Sequence, residues 1–282
     1  MIEPRRLVLL GHPVSHSLSP AIQNAALDAA GISLRYEAVD VHPRDLTSTL
    51  AELARSAAGG NLTIPHKTDA IPSMASLTPV AREVGAVNTF RPDGAGGLQG
   101  HNTDVDGFES LLKRAIGEPR RGLDVTVLGA GGAASAVLTV LRRWGCRGRI
   151  IARNTERAHA IVERFSDVAS VAQSSTSGRI EGDVVVNATP IGLADDSFPV
   201  SLDRIREGTV VVDLVYKRGE TAWVRAARER GFTAVDGITM LVEQAAAAFS
   251  YWFGRSPDRD AMLRAIATTT SKVTDPSSRK HS

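Results

Sequence analysis

The sequence predicts an α/β protein with two open α/β domains, the second built around a doubly wound parallel sheet. Short β-rich runs alternate with amphipathic stretches at helical spacing through most of the 282 residues, as is typical of α/β folds. This length suggests about two domains, each large enough to bury its own core. In the second half, the glycine-rich segment GAGGAA stands between a β-rich run and a helical stretch.

Strands and helices are expected in alternation through the first half of the chain. The run RLVLLG predicts a first strand that ends at Gly11, and Ser19 is a good helix N-cap because Pro20 follows it at the first helical position. Gly31 is expected to close that helix. Further strands are predicted at 35–41, 61–64 and 86–90, and a helix at 43–58 would bury Leu46, Leu50, Leu53 and Ala57.

The second half repeats this alternation after GEPRRGLD, a stretch with the composition of a connector. DVTVLG predicts a strand, and the small residues after it predict a helix as far as Trp144. RIIAR, DVVVNA and TVVVDL predict three more strands, separated by helical stretches as in a parallel doubly wound sheet. A long apolar helix is predicted from Ile238 onward, and residues 273–282 are expected to be a disordered tail.

Composition excludes several classes of function. The hydrophobic fraction of 43% and charged fraction of 23% are ordinary for a globular enzyme, and the net charge is only +2. No dense basic run precedes SSRKHS at the end, so neither a nucleic-acid surface nor a membrane-binding patch is expected. The single cysteine, Cys146, suits a reducing compartment, and no signal peptide or membrane-spanning run is recognised, so we expect a cytoplasmic protein. The seven histidines are scattered, and no metal site is expected.

The glycine-rich segment predicts a dinucleotide site. Gly129, Gly131 and Gly132 lie between a predicted strand and helix, where glycine lets the backbone turn tightly and approach a pyrophosphate at the helix N-terminus. The alternative is a merely flexible loop.

The residues that follow the next strand indicate which dinucleotide binds. A site that prefers NAD usually offers an acidic residue there for the ribose 2′-hydroxyl, whereas RIIARNTER offers Arg153, Asn154 and Arg157. A guanidinium can bind a 2′-phosphate bidentately or stack on adenine. The sequence therefore predicts NADP(H), although either arginine could instead be a solvated residue at a helix start.

Polar residues also cluster at predicted strand and helix ends in the first half. Ser15, Ser17 and Ser19 precede a helix N-terminus, which could hold a carboxylate. For Ser19, N-capping and substrate binding are both open. NLTIPHK contributes Asn61, Thr63 and Lys67, GAVNT contributes Asn88, and GHNTD contributes Asn102 and Asp104. Taken alone, Lys67 is most simply a solvated lysine after a strand.

Taken together, these segments resemble the shikimate/quinate dehydrogenase family, and in particular its shikimate dehydrogenases. The similar segments occur in the family's order over nearly the whole chain: GHPVSHSLSP, NLTIPHK, GAVNT, GHNTDVDGF, GAGGAA, NATPIG, DLVYKRGET and DGITMLVEQAAAAF. The resemblance implies NADPH-dependent, reversible reduction of 3-dehydroshikimate to shikimate, in chorismate and aromatic amino-acid biosynthesis.

The resemblance also implies roles for individual residues. Lys67 and Asp104 would be the catalytic acid/base pair, and the sequence leaves open which of them transfers the proton. Substrate contacts are implied for Ser17, Ser19 and Tyr216 at the carboxylate and for Thr63, Asn88 and Gln244 at the ring hydroxyls. Cofactor contacts are implied for Gly129, Ala130, Gly131, Gly132, Ala133, Arg153, Asn154, Arg157, Thr189, Leu214 and Gly237.

The family's fold implies a discontinuous substrate-binding and catalytic domain, 1–104 with 238–272, and a Rossmann-like NADP-binding domain, 105–237. The C-terminal helices would return to the first domain so that Gln244 reaches the substrate. The expected partner is the small-molecule substrate, with neither nucleic acid nor membrane, and the chain would be a monomer or a homodimer.

Five positions in four segments depart from the pattern common in the family. Ala152-Arg153-Asn154 replaces Asn-Arg-Thr, His66 replaces a phenylalanine, His101 replaces an aspartate, and Thr239 replaces a glycine. Both histidines are expected to be tolerated variants and not catalysts. The alternatives to a shikimate dehydrogenase are a paralogue acting on quinate or an amino-analogue of dehydroshikimate, and a binding protein without turnover. Retention of both Lys67 and Asp104 argues against the last.

Overall fold

A computed structural model describes residues 2–172, 178–217 and 219–271, so the predicted tail at 273–282 lies outside the described residues. The chain forms two compact units, one with the residues up to Thr103 and those from Gln244 onward, the other Asp104–Glu243. The connector-like stretch 117–124 lies inside the second unit, because the helix before it packs there against the helix that follows the glycine loop.

The first unit contains a mixed sheet and its surrounding helices. Its elements are β1 (Arg6–Gly11), α1 (Ser19–Ala29), β2 (Tyr36–Asp40), α2 (Leu46–Arg55), β3 (Ala58–Leu62), β4 (Ser76–Leu77), α3 (Pro79–Val84), β5 (Thr89–Pro92) and β6 (Leu98–His101). In the described residues the strand order is β2-β1-β3-β5-β6-β4. β2, β1 and β3 run parallel, and β5 pairs antiparallel with both β3 and β6.

The second unit contains α4 (Asp104–Ile116), β7 (Asp124–Leu128), α5 (Gly132–Trp144), β8 (Arg147–Ile151), α6 (Thr155–Arg164), β9 (Ala169–Val171), β10 (Val184–Asn187), β11 (Val210–Asp213), α7 (Ala222–Glu229) and β12 (Ala234–Val235). The described strands are all parallel, in the order β9-β8-β7-β10-β11-β12. This order is that of the doubly wound dinucleotide-binding sheet, so the predicted fold is confirmed.

Two helices are the last elements in the described part of the chain. α8 (Ile238–Phe253) begins in the second unit and ends in the first, and α9 (Arg259–Ser271) packs against α1. Trp252 of α8 donates its indole N–H to the Phe90 carbonyl of β5 at 3.1 Å, and Gln23 of α1 donates to the Ala245 carbonyl at 3.0 Å. The end of α8 is thereby fastened to the first sheet.

Three local predictions in the first unit were wrong. The strand predicted at 61–64 is β3, which starts at Ala58 because its residues pair with β1 from that point, and which is buried throughout. Gly60 permits this close pairing, since a Cβ there would lie 2.1 Å from the Val8 carbonyl oxygen. Ala57 lies outside α2 with a positive φ of 51°, and β5 begins at Thr89 and not at residue 86.

Within residues 2–172, 178–217 and 219–271, no helix combines the length and the apolar composition that a membrane crossing requires.

Candidate functional site

The first set of site residues follows the carboxyl ends of β1 and β3. The Thr63 N–H donates to the Leu10 carbonyl at 2.9 Å, so the chain after β3 stays paired with β1 as it leaves the sheet. A Cβ on Gly11 would lie 2.5 Å from the Thr63 methyl group, so glycine allows the two chain segments to approach. Ligands of open α/β sheets bind at such strand ends.

Ser17 and Ser19 lie at the N-terminus of α1, but Ser19 is not its N-cap. The helix begins at Ser19 with Leu18 at the cap position, and the Ser19 N–H donates to the Ser17 hydroxyl at 3.2 Å. The N-cap prediction was therefore wrong, because the local turn is made by Ser17, two residues earlier. Ser19 is almost fully buried, with 8% of its surface exposed.

Asn88 joins several predicted site residues in the first unit. Its Nδ2 donates to Thr103 Oγ1 at 3.0 Å and lies 3.5 Å from Gln244 Oε1, while its Oδ1 accepts from the Thr103 N–H at 2.8 Å. Its carbonyl accepts from Asn61 Nδ2 at 3.0 Å. The structure thus brings Asn88 and Gln244 together, although 155 residues separate them in the chain.

Lys67 is held close to this network through its backbone. Its carbonyl accepts from the Val87 N–H at 2.7 Å, one residue before Asn88, and its side chain is half-buried. Asp104 is the first residue of α4 and is 3% exposed; it directly follows Thr103, the residue that Asn88 binds. Lys67 belongs to the first unit, and Asp104 and Tyr216 belong to the second. The catalytic pairing stays a prediction.

The cofactor loop connects β7 to α5 in the second unit. Gly129 has a φ of +114°, and a Cβ on it would lie 2.9 Å from the Ala188 carbonyl oxygen, so a side chain there would be strained and crowded. Gly131 has an extended backbone and is the N-cap of α5, with no atom within 4 Å of an added Cβ. The first turn of α5 contains no acidic residue, so its backbone N–H groups can donate to a bound anion.

Three residues of the predicted cofactor site follow β8. Arg153, Asn154 and Arg157 are all exposed, and Asn154 Oδ1 caps α6 by accepting from the Arg157 N–H at 2.8 Å. In the part of the chain that the structure describes, no carboxylate forms an ion pair with Arg153 or Arg157, although Glu156 lies in the same turn. Because Gly129 pairs with Ile151 at the end of β8, this arginine segment leaves the sheet beside the glycine loop.

A buried polar network, which our reading of the sequence missed, joins the ends of β10 and β11. Asn187 Nδ2 donates to Asp213 Oδ1 at 2.8 Å, and Asn187 Oδ1 accepts from the Thr189 hydroxyl at 2.6 Å. Asp213 also accepts from the Thr221 hydroxyl at 2.8 Å and from the Val215 N–H at 3.0 Å. Burial raises the pKa of Asp213 to about 6, and its hydrogen bonds offset part of that effect. The sequence did contain a sign of this network, since each of two apolar strands ends in a polar residue, Asn187 in one and Asp213 in the other.

Leu214 and Gly237, both predicted to contact the cofactor, are neighbours in the second unit. A Cβ on Gly237 would lie 2.4 Å from the Leu214 carbonyl oxygen, and the Gly237 N–H donates to the Val215 carbonyl at 3.1 Å. Thr239, in the first turn of α8, is half-buried.

His66 is a packed residue, not an exposed acid or base. It is fully buried, its Nε2 lies 2.8 Å from the Val41 carbonyl oxygen, and burial lowers the pKa of its imidazole. In the described ranges 2–172, 178–217 and 219–271, no cluster of three His, Cys, Asp or Glu side chains could hold a metal ion.

The doubly wound sheet, the glycine loop and the adjacent arginines define a dinucleotide-binding α/β enzyme with an additional α/β unit. Two family models match: the shikimate dehydrogenase substrate binding domain at residues 9–90 and the shikimate 5′-dehydrogenase C-terminal domain at residues 237–267. The chain belongs to the shikimate dehydrogenase family, because curated members of that family are 39% and 41% identical to it over 92% of its length. The resemblance in its motifs indicated the same family.

Individual relatives agree over almost the full chain. Shikimate dehydrogenase (NADP(+)) of Moorella thermoacetica is 39% identical over 92% of each chain, and that of Thermus thermophilus is 41% identical over 92% of this chain and 97% of its own. A crystal structure of the Thermus thermophilus enzyme in complex with NADP(H) and shikimate has a TM-score of 0.83 at 38% identity, covering 93% of this chain and 98% of the other.

Proposed function

We propose that this protein is an NADP-dependent shikimate dehydrogenase, which reversibly reduces 3-dehydroshikimate to shikimate in aromatic amino-acid biosynthesis. The relatives' names and the shikimate and NADP(H) bound by the Thermus thermophilus enzyme support this proposal. The observation in this chain that carries it is the amide network of Asn88. This network aligns neutral donors and acceptors beside the backbone of Lys67.

Neutral polar groups suit a polyhydroxylated ring. Asn88 and Gln244 would bind ring hydroxyls together with Thr63, each offering a donor or acceptor that is costly to leave unpaired when buried. The Asn88 side-chain amide is held by Thr103 and Gln244, and the backbone carbonyl of Asn88 accepts a hydrogen bond from Asn61. A fixed amide recognises a hydroxyl at lower entropic cost than a mobile one.

The substrate carboxylate would bind at the start of α1. Ser17 and Ser19 supply hydroxyls next to a helix N-terminus, where backbone N–H groups favour negative charge. Tyr216 would add a phenolic hydroxyl. The first turn of α1 contains no acidic side chain that would repel the carboxylate.

The second unit fits NADP(H) by the shape and charge of its loop. The open side of Gly131 leaves room for a pyrophosphate, while Gly129, Ala130, Gly132 and Ala133 complete the turn into α5. Arg153, with Arg157, would bind the 2′-phosphate, and Asn154 caps α6 by accepting from the Arg157 backbone N–H. Thr189, Leu214 and Gly237 would border the nicotinamide. When bound, NADPH supplies a hydride to the substrate ketone.

Lys67 and Asp104 would donate a proton to the substrate oxygen and accept it in the reverse reaction. Addition of a hydride to the ketone carbon places negative charge on the ketone oxygen, which must receive one proton to become the hydroxyl of shikimate. A lysine ammonium beside that oxygen stabilises the charge, and either Lys67 or Asp104 can transfer the proton. In the reverse direction the same pair accepts the proton from the hydroxyl.

The test follows the absorbance of reduced nicotinamide with purified protein, shikimate and NADP⁺, with quinate and NAD⁺ in matched wells. We expect rapid reduction only with shikimate and NADP⁺, and loss of that signal in Lys67→Ala. Comparable rates with quinate or NAD⁺ would contradict the proposed specificity. A folded protein that reduces neither cofactor with shikimate would refute the proposed function.

A further inference from the structure

His101, at the end of β6, makes two well-defined side-chain contacts in the first unit. Its ring stacks on Tyr251 of α8 with 4.5 Å between ring centres and 25° between ring planes. Its Nδ1 lies 2.8 Å from Thr78 Oγ1 at the N-cap of α3. His101 therefore connects α3, the β6 strand end and α8.

Tyr251 is held by the β5–β6 hairpin from several directions. The Arg91 guanidinium lies 4.2 Å from the centre of its ring and donates to its carbonyl at 2.8 Å. The Tyr251 hydroxyl donates to Gln99 Oε1 at 3.0 Å, and Arg91 also donates to that oxygen at 3.1 Å. Arg91 and Gln99 are directly opposite each other in the hairpin, so Tyr251 contacts both members of one cross-strand pair.

The position of Tyr251 bears on Gln244. The two residues are seven apart on α8, close to two helical turns, so they lie on the same face of that helix. Gln244 Oε1 lies 3.5 Å from Asn88 Nδ2, and the Asn88 N–H donates to the His101 carbonyl at 3.1 Å. His101 thus contacts Asn88 through its main chain and the helix of Gln244 through its ring.

We propose that His101 is a positioning residue for substrate recognition: its stack on Tyr251 sets the axial position of α8 against the β5–β6 hairpin, so that Gln244 and Asn88 face the same substrate hydroxyls. The inference rests on the proposed function, because it assigns Asn88 and Gln244 to the substrate. Burial and the nearby Arg91 lower the pKa of His101 to about 4, so the ring is neutral at physiological pH and does not repel the guanidinium.

The test compares two substitutions at one position. His101→Ala removes both the stack and the contact with Thr78, whereas His101→Phe keeps an aromatic ring against Tyr251. Since small displacements of binding groups have large kinetic effects, we expect KM for shikimate to rise about tenfold in His101→Ala, with KM for NADP⁺ within about twofold of the wild type. His101→Phe should recover most of the loss, and Tyr251→Leu should reproduce it. His159→Ala, at an exposed position of α6, is the control.

A structural readout separates this inference from the proposed function. Hydrogen exchange at the α8 amides around Gln244 should be faster in His101→Ala than in the wild type and restored in His101→Phe, whether or not the protein oxidises shikimate. A wild-type protein without shikimate turnover would defeat the proposed function, and the exchange result would then decide the positioning role. Unchanged exchange in His101→Ala, or equal rises in both KM values, would overturn the inference.

Discussion

Asn187 and Asp213 meet at 2.8 Å, where the side-chain amide at the end of β10 donates to the carboxylate at the end of β11. This hydrogen bond links the two loops that follow these strands. Asn187 holds Thr189, and Asp213 holds the Val215 N–H next to Leu214. Two predicted cofactor contacts, Thr189 and Leu214, therefore depend on one buried carboxylate that is itself not predicted to touch the cofactor.

Asp213 should make stability depend on pH with a defined sign. Its pKa is raised from 3.8 to about 6, so between these values the folded protein holds a proton that the unfolded chain releases. The contribution to stability is therefore full below the unfolded pKa and is lost as pH rises through about 6. Relative to Asp213→Asn, the wild-type free energy of unfolding should fall by up to roughly 3 kcal/mol from about pH 4 to pH 7.

Urea unfolding of the wild type and Asp213→Asn over this pH range gives the measurement. Asp203→Asn is a control of opposite sign, because Arg230 and Ser201 lower the pKa of the exposed Asp203 carboxyl, and that contribution is lost on acidification. It should also weaken at high salt. Parallel profiles for the wild type and Asp213→Asn would contradict the assignment of Asp213.

Two glycines of the cofactor loop should respond differently to alanine. Gly131→Ala meets no atom within 4 Å and keeps an allowed backbone conformation, so it should cost at most about 1 kcal/mol of stability, as a poorer N-cap. Its methyl group would occupy the space proposed for the pyrophosphate, so KM for NADP⁺ should rise about tenfold or more.

Gly129→Ala should also lose roughly 1–3 kcal/mol of stability, because φ is +114° at this position and the new Cβ would lie 2.9 Å from the Ala188 carbonyl oxygen. Chemical unfolding and initial rates separate the two effects; normal NADP⁺ kinetics in Gly131→Ala would argue against a pyrophosphate at this position.

Arg153 should determine the preference for NADP⁺ over NAD⁺. Hydrogen bonds to charged groups contribute about 1.5–3 kcal/mol, so Arg153→Ala should lower kcat/KM for NADP⁺ roughly ten- to a hundredfold and leave the value for NAD⁺ nearly unchanged. Arg157→Ala should have a smaller effect in the same direction. Arg147→Ala, which removes an exposed ion pair with Asp124, is the matched control. Equal losses with both cofactors would show that Arg153 does not recognise the 2′-phosphate.

The sequence was most informative where structure is local. The four central strands of the second sheet were predicted from their apolar residues, and the turn from β7 into α5 was predicted from Gly129, Gly131 and Gly132. The edge strands β9 and β12 were not predicted, because three and two residues are too few to show a pattern. β3 was placed too late because its first residues, Ala58, Gly59 and Gly60, show no apolar alternation, and only their pairing with β1 places them in the strand. Ser19 was misassigned because Ser17, two residues earlier, accepts the Ser19 N–H and makes the turn at the start of α1.

Long-range contacts limited how much of the candidate site could be predicted from the sequence. Gln244 lies in an apolar helix and meets Asn88 only through the folded chain, so its proposed role came from the family resemblance and not from its surroundings in the sequence. The pairing of Asn187 with Asp213 was not predicted either, although both residues are polar and close apolar strands. Which strand ends lie side by side depends on sheet order, and sheet order follows from the whole fold.

Lys67 and Asp104 provide the most direct test of the chemistry. Lys67→Ala and the isosteric Asp104→Asn should each lower kcat by about 10²–10⁴-fold, the usual contribution of a positioned acid or base. The asparagine is chosen because Asp104 is 3% exposed, and a smaller side chain would leave a cavity. Lys113→Ala, which removes a surface ion pair with Glu109, should have normal activity and serves as the control.

The double variant decides whether Lys67 and Asp104 act as one unit. If they transfer a single proton together, Lys67→Ala/Asp104→Asn should be only slightly slower than the slower single variant, because residues that act jointly are strongly non-additive. Calorimetric titration with shikimate should show that each folded variant still binds the substrate, since Asn88, Gln244 and Thr63 are intact. A double variant whose loss equals the product of the two single losses would instead mean that the two residues act independently. In that case, the joint acid/base assignment would have to be abandoned.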